Sequence, residues 1–322
     1  MSKSTLDLNN LTPSQKSIAL SSLRSLLTSQ PPSPATTYDD PTLLRFLIAR
    51  QMNAPKALQM INEYVDWREK EGIDQLAVPG VRGEPVMNGV RGFEGVGDAD
   101  WEVGNVPEEW RGWYGSLGRS QRESMMGDGE NLTAGQPGGG CFHKTDKEGQ
   151  PVFIERTGYH DVKSLATKCP QSQMLDWHVR NTEMLFNVLM PECSAKSGRL
   201  IEKHTVIFDC ANSGMWQFSM KGMQLLKSVS ELDSKVYPER LGRLFIVNTP
   251  GMFTRTWSIV KRWLDKRILE KIFILDSNYQ ATLLEYIDAA NLPEFLGGTC
   301  KCSHMPNGKA EKRRDIVQSE WT

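Results

Sequence analysis

The chain has 322 residues, 39% of them hydrophobic, with 38 basic and 39 acidic side chains and a formal net charge of −1. That length holds one large domain or two modest ones, and the balanced charge argues against nucleic acid as principal partner, because phosphate-driven binding needs a basic excess. The start, MSKSTLDLNN, lacks an apolar run, no apolar stretch approaches the ~18 residues of a spanning helix, and six cysteines at this length make no disulfide framework. A soluble globular protein of a reducing compartment is expected.

Residues 1–75 read as helical. Thr12 as N-cap and Pro13 at the first helical position open a helix whose Leu20, Leu23 and Leu27 share one stripe. The proline-rich QPPSPATT breaks it. A second helix starts at Asp40–Pro41 and carries Leu43, Leu44, Leu47 and Ile48. A third, capped by Asn53, presents Ala57, Met60, Ile61, Tyr64 and Trp67 at helical spacing and ends at Gly72.

Residues 76–140 hold more than half of the 27 glycines, with Trp101, Trp110 and Trp113 among polar residues, and read as an irregular insertion or flexible linker. PGGGC follows no strand and precedes no G-K-[ST], so it is no phosphate cradle. Residues 141–302 alternate between strand and helix: PVFIER, a helix from Met174 to Met190 closed by Pro191, HTVIFDC, a helix over Phe218 to Leu232, RLFIVN, a helix around Trp257, and KIFIL. Short apolar strands separated by helices require a largely parallel, covered sheet, which makes the fold class α/β with a helical N-terminal subdomain. Residues 303–322 form a basic tail with Lys309, Lys312, Arg313 and Arg314.

Few residues suggest bond-making chemistry. Cys210 follows Asp209, but no G-x-S-x-G elbow or H-E-x-x-H helix is present, and the five histidines define no constellation, so no enzyme is expected. Cys300, Cys302 and His304 in CKCSH fall short of a four-ligand zinc pattern and read as packed thiols, so no metal is expected. Asn131 in NLT matches a glycosylation acceptor by accident. The stretch MFTRTWSIVKRWLDKR is more informative. Phe253, Trp257, Val260 and Leu264 recur at i, i+4, i+7 and i+11, while Arg255, Arg262 and Lys266 share another side. That is a basic amphipathic helix, suited to an anionic membrane surface or to an ordinary surface position with its apolar side in the core. Trp263 lies off the stripe. Upstream, VYPERLGRLFIVN sets Glu239 and Arg240 at the mouth of an apolar strand.

The blocks DDPTLLRFLIARQMNAPKALQMINEYVDWREKEG, HKTDKEGQPVFIERTG, YPERLGRLFIVNTPGMF, VKRWLDKRILEKIFIL and LPEFLGGTCKC resemble, in order and spacing, the CRAL-TRIO family, specifically its phosphatidylinositol-transfer branch. The resemblance covers about residues 39–302 apart from the glycine-rich stretch. It implies a helical subdomain and a lipid-binding domain whose sheet floors a hydrophobic pocket, closed by a helical gate over Phe253, Trp257, Val260, Trp263 and Leu264. It also implies inositol-lipid headgroup contacts at Arg50, Glu239 and Lys271, Arg50 and Lys271 meeting the phosphate and Glu239 accepting from sugar hydroxyls or orienting Lys271.

Two positions depart from that pattern: Gln51 replaces a basic residue, and Ile268 stands three before Lys271 where a hydroxyl is expected. The places of the hydroxyls that serve phosphatidylcholine hold Phe142, His204, Val206 and Asp233, which puts that ligand in doubt; His204 is a further pocket-lining candidate. The resulting expectation is a monomeric, cytoplasmic protein, peripheral on membranes. It binds and transfers a phosphatidylinositol-type phospholipid, which it can present to a lipid kinase, and needs no cofactor beyond that bound phospholipid. A sterol- or tocopherol-type ligand and a lipid-sensing scaffold are the alternatives, with a hydrolase behind them.

Overall fold

A computed structural model of the chain describes residues 8, 11–31, 33–76, 89–91, 140–159, 171–214, 220–275 and 278–301. The chain divides into two compact units, residues 1–76 with 230–240, and residues 77–229 with 241–322. Most of the expected glycine-rich insertion, with Trp101, Trp110, Trp113 and Asn131, as well as Cys302 and the basic tail with His304, lie outside the described residues.

The helical unit begins with α1 (Pro13–Thr28), α2 (Asp40–Ala49) and α3 (Ala54–Lys70). Each starts where a short polar side chain takes an otherwise orphaned backbone N–H. Thr12 accepts from Gln15 N at 3.2 Å while the Gln15 side chain accepts from Thr12 N at 2.8 Å. The Asp39 carboxylate accepts from Thr42 N at 2.9 Å, and Asn53 from Lys56 N at 3.0 Å. Leu23, Leu27, Leu43, Phe46, Leu47, Met60 and Ile61 form the core of this unit. Residues 230–240 dock into it, with the Tyr237 ring edge-on to Trp67 at 5.8 Å between centroids.

The second unit is built on a six-stranded sheet in sequential order: β1 (Gly89–Arg91), β2 (Gly140–Thr145), β3 (Pro151–Glu155), β4 (His204–Asp209), β5 (Leu241–Val247) and β6 (Ile272–Ile274). All neighbours are parallel except β2 and β3, which form an antiparallel pair. β1 comes from the stretch read as linker, so that stretch contributes an edge to the sheet.

Its helices are α4 (Gln171–Met184), α5 (Met190–Ser197), α6 (Met220–Val236, whose last residues count with the helical unit), α7 (Phe253–Val260), α8 (Lys266–Leu269) and α9 (Tyr279–Tyr286). Pro191 does not close a helix as expected. A π-helical turn, Leu185–Leu189, joins α4 to α5 without a break, and Pro191 falls just after that turn, in the first turn of α5. No described helix is long and apolar enough to cross a membrane.

One face of the sheet is sealed. Val152, Ile154, Ile207, Phe245 and Val247 are fully buried against Tyr279 and Leu283 of α9 and against Ile287, Leu292 and Leu296. Beneath that seal, Arg156 and Asp209 form a buried pair at 3.6 Å, with Arg156 over the Phe295 ring at 4.4 Å. Asn248 Nδ2 donates to Asp209 Oδ1 at 2.8 Å and to the Tyr279 hydroxyl at 3.3 Å. This network fixes the chain where β5 ends, five residues before α7 begins.

Candidate functional site

The alternation of strand residues puts a second set of side chains on the opposite face. Cross-strand register lines up Phe142, Phe153, Val206, Leu244 and Ile272 as one row, and Phe208, Ile246 and Ile274 as the next, with Glu155 at the β3 end of that second row. Met184, Leu185, Leu189 and Met190, from α4, the π turn and α5, pack with Phe142 near one side. Towards β6 the cover thins: Phe208, Leu244 and Ile272 are half-buried and Ile274 is 39% exposed. A sheet face meant for water alternates polar residues into it, whereas one covered by helices is sealed. Here the face is apolar and incompletely covered, the surface that a hydrophobic occupant requires.

Lys271 and Ile268 lie beside this face. Lys271 sits in the turn that leads into β6, immediately before Ile272. Its N–H donates to Ile268 O at 3.0 Å and its carbonyl accepts from Leu244 N at 2.9 Å. Burial pushes the Asp265 carboxyl up, but the hydrogen bonds and charge of Arg267 together with the charge of Lys271 outweigh it and hold the group below its usual range. Lys271 therefore has an acidic neighbour in Asp265. His204 opens β4 opposite Leu241, half-buried, with a register shift between it and Thr205.

Arg50 and Glu239 belong to the helical unit. Arg50 is the C-cap of α2, half-buried, with Nη1 donating to Ala49 O at 3.3 Å. Gln51 and Met52 follow in the left-handed region at φ 54° and 60°, and Glu239, also half-buried, sits in the turn before β5 at φ 60°. Left-handed conformations in residues with a side chain cost of order 1–3 kcal/mol each and persist where their surroundings over-determine them. Sequence reading missed this strain because no glycine marks it. At the other end of α2, burial pushes the Asp39 carboxyl up, but Thr42 hydrogen bonding and the charges of Arg45 and Arg240 hold it below the usual carboxylate range.

The expected gate is shorter than its stripe suggested. α7 stops at Val260, and Arg262 N→Ile259 O and Trp263 N→Val260 O, at 3.1 and 3.0 Å, tighten the chain into a turn. Asp265 then caps α8 through Arg267 N. Leu264 consequently lies outside the helix, a break that the Asp-Lys-Arg sequence at 265–267 signals locally. Within α7 the Phe253 and Trp257 rings stack at 6.1 Å and Val260 is buried, whereas Met252 and Ile259 are exposed. Trp257 is half-buried. Trp263 is also half-buried, with the Lys227 ammonium of α6 5.9 Å from its ring centroid.

Cys210 is buried, and burial pushes its thiol up. Cys300 accepts from Lys144 Nζ at 3.3 Å, and no metal-binding group of three His, Cys, Asp or Glu occurs among the described residues.

Comparison with known proteins agrees with this architecture. Residues 136–298 match the CRAL/TRIO domain and residues 19–63 the CRAL/TRIO N-terminal domain. The chain is 30% identical over 264 residues to the Sec14 cytosolic factor of Schizosaccharomyces pombe, covering 82% of this chain and 76% of that protein. It is 31% identical over 261 residues to the phosphatidylinositol/phosphatidylcholine transfer protein SFH7 of Arabidopsis thaliana, covering 81% of this chain but 39% of that one. The chain thus spans about two fifths of the length of such plant relatives. Among solved structures, that of Sfh5 superposes with a TM-score of 0.50 at 13% identity over 84% of this chain and 83% of its own, a likeness of fold. With half of the chain matched by the domain model and the helical subdomain matched by its companion, the chain belongs to the CRAL/TRIO domain family.

Proposed function

We propose that this chain binds a phosphatidylinositol-type phospholipid with its acyl chains on the apolar sheet face, and moves that lipid between membranes without making or breaking a bond. The observation that carries the reading is the pair of apolar rows ending at Phe208, Leu244, Ile272 and Ile274, which are left partly uncovered. A buried phosphate must find hydrogen-bond partners or carry a desolvation penalty. Lys271, beside those rows, is the cation suited to that task; the headgroup roles of Arg50 and Glu239, which belong to the other unit, rest on the family resemblance alone. Relatives named as phosphatidylinositol/phosphatidylcholine transfer proteins support the ligand class. For the choline lipid the support is weaker, because Phe142 and Val206 put hydrocarbon where hydroxyls are needed. The chain acts on this reading as a cytoplasmic monomer that visits membranes through α7 and the Trp263 turn, and it can hand its lipid to a phosphoinositide kinase.

Transfer of labelled phosphatidylinositol between vesicles tests the proposal. The wild type should move intact lipid, and Lys271→Ala should lose about 1.5 to 3 kcal/mol of lipid affinity through the missing charge-assisted bond. Its fold should survive, because Lys271 is only half-buried. Ile268→Thr, which adds a hydroxyl one turn away, should leave transfer unchanged or improved. Full transfer by Lys271→Ala, or lysolipid and free headgroup accumulating in proportion to protein, would refute the reading.

A further inference from the structure

Lys144 sits in a bulge at the end of β2. The register with β3 shifts between Phe142 and Thr145, and Lys144 takes a left-handed φ of 53°. Bulges re-aim a side chain, and here the amine reaches the segment that seals one face of the sheet. Lys144 Nζ donates to Ala290 O at 2.7 Å and to Cys300 Sγ at 3.3 Å. Cys300 is fixed in turn, its N–H donating to Leu292 O at 3.1 Å and its carbonyl accepting from Glu294 N at 3.2 Å. An amine and a thiol 156 positions apart in the chain are thus held in contact.

The contact adds little as a hydrogen bond, because sulfur is a weak acceptor and the ammonium already has the Ala290 carbonyl. As a placement of two reactive groups it counts for more. Among the four described cysteines, Cys141, Cys193 and Cys210 are buried, whereas Cys300 is partly exposed, as is Lys144. Oxidation of thiols follows exposure, so of these four Cys300 is the one open to a small oxidant from solvent. A sulfenic acid formed there would have the Lys144 nitrogen beside it.

We infer that Lys144 and Cys300 form an oxidative clamp, in which a peroxide joins sulfur to the amine nitrogen and locks the C-terminal seal onto β2. The thiol gives two electrons to the peroxide, the O–O bond breaks, and sulfenic acid and one water result. Lys144, its ammonium proton released to solvent, then attacks the sulfur. The S–O bond breaks as the S–N bond forms, and the hydroxyl leaves with one N–H proton as a second water. Two equivalents of an added thiol restore the free amine and Cys300 and are themselves oxidised to a disulfide. The bond closes a long loop, so it restricts the unfolded chain and stabilises the fold.

The test treats the reduced full chain with excess hydrogen peroxide at neutral pH, blocks remaining thiols by alkylation, and sequences the digested peptides by mass spectrometry. The main product at Cys300 should be a peptide pair joined through Lys144, lighter by two hydrogens than its parts and lost on treatment with dithiothreitol. Cys302→Ser should keep the link. Cys300→Ser and Lys144→Arg should abolish it, since guanidinium stays protonated and cannot attack. The urea midpoint of the peroxide-treated wild type should rise and return with dithiothreitol, and that of peroxide-treated Cys300→Ser should not rise. The wild-type product decides even if a variant fails to fold. Cys300 recovered as an unlinked sulfenic or sulfinic acid, as a disulfide with Cys302, or joined to another lysine overturns the inference. So does a link that leaves the urea midpoint unmoved.

Discussion

Leu244 and Phe245 are adjacent on β5, yet they face opposite sides of one sheet, and replacing each with alanine should separate folding from ligand binding. Phe245 is fully buried, with Phe273 and Tyr286 ring centroids 5.1 and 5.3 Å away. Its removal leaves a cavity in a sealed core and should cost about 3–5 kcal/mol of stability. Leu244 is half-buried in the row between Val206 and Ile272. Removing its three outer carbons forfeits about 2.4 kcal/mol only if all of that surface leaves water, at about 0.8 kcal/mol per carbon. With half already covered in the empty protein, about 1 kcal/mol falls on folding and about 1 kcal/mol on the lipid that would cover the rest, close to a fivefold loss of affinity. Urea unfolding monitored by tryptophan fluorescence gives the first quantity, and lipid retained after dilution into acceptor vesicles gives the second. If Leu244→Ala destabilises as much as Phe245→Ala and retains lipid normally, the face is ordinary core and the argument for a binding surface fails.

Asp39→Ala should cost about 1 kcal/mol at neutral pH through loss of the α2 cap. Because the folded carboxyl lies below its usual range, that stability is present above the ordinary carboxylate pKa and is lost as pH falls through the folded value. The gap to wild type in urea midpoints should accordingly close on acidification; a gap constant across the carboxylate range would contradict the assigned contacts. Glu239→Gly relieves a left-handed residue and should leave stability unchanged or raised by up to about 1 kcal/mol, while phosphatidylinositol transfer falls. Loss of both together would make Glu239 a scaffold residue. Trp257→Ala, which breaks the stack on Phe253, should cost about 2 kcal/mol, half the range for a fully buried ring. Trp263→Ala should mainly weaken binding to anionic vesicles, and a double-mutant cycle with Lys227→Ala should show coupling of about 0.5–1 kcal/mol. Zero coupling would remove that cation–ring contact.

The three helix starts of the first unit were legible because each is a local transaction: Thr12, Asp39 and Asn53 satisfy a backbone N–H three residues away, so the signal fits within one turn of sequence. The strands HTVIFDC and RLFIVN are legible as apolar runs for the same reason, and the order of the blocks from DDPTLL to LPEFLGG carries the family resemblance. Which side of those runs is sealed is not legible there. Ile207 and Phe208, or Leu244 and Phe245, carry equivalent hydrophobicity, and only α9 with Ile287, Leu292 and Leu296, arriving from the far end of the chain, closes one face. The Arg156–Asp209–Asn248–Tyr279 network likewise joins residues from four separate elements, each of which alone reads as an ordinary loop or strand end. The left-handed Gln51, Met52 and Glu239 gave no warning, since side chains that prefer other conformations are held there by their surroundings. Sequence periodicity records how a segment would bury itself; which neighbour buries it, and which apolar surface is left over for a ligand, follows from contacts between segments far apart in the chain.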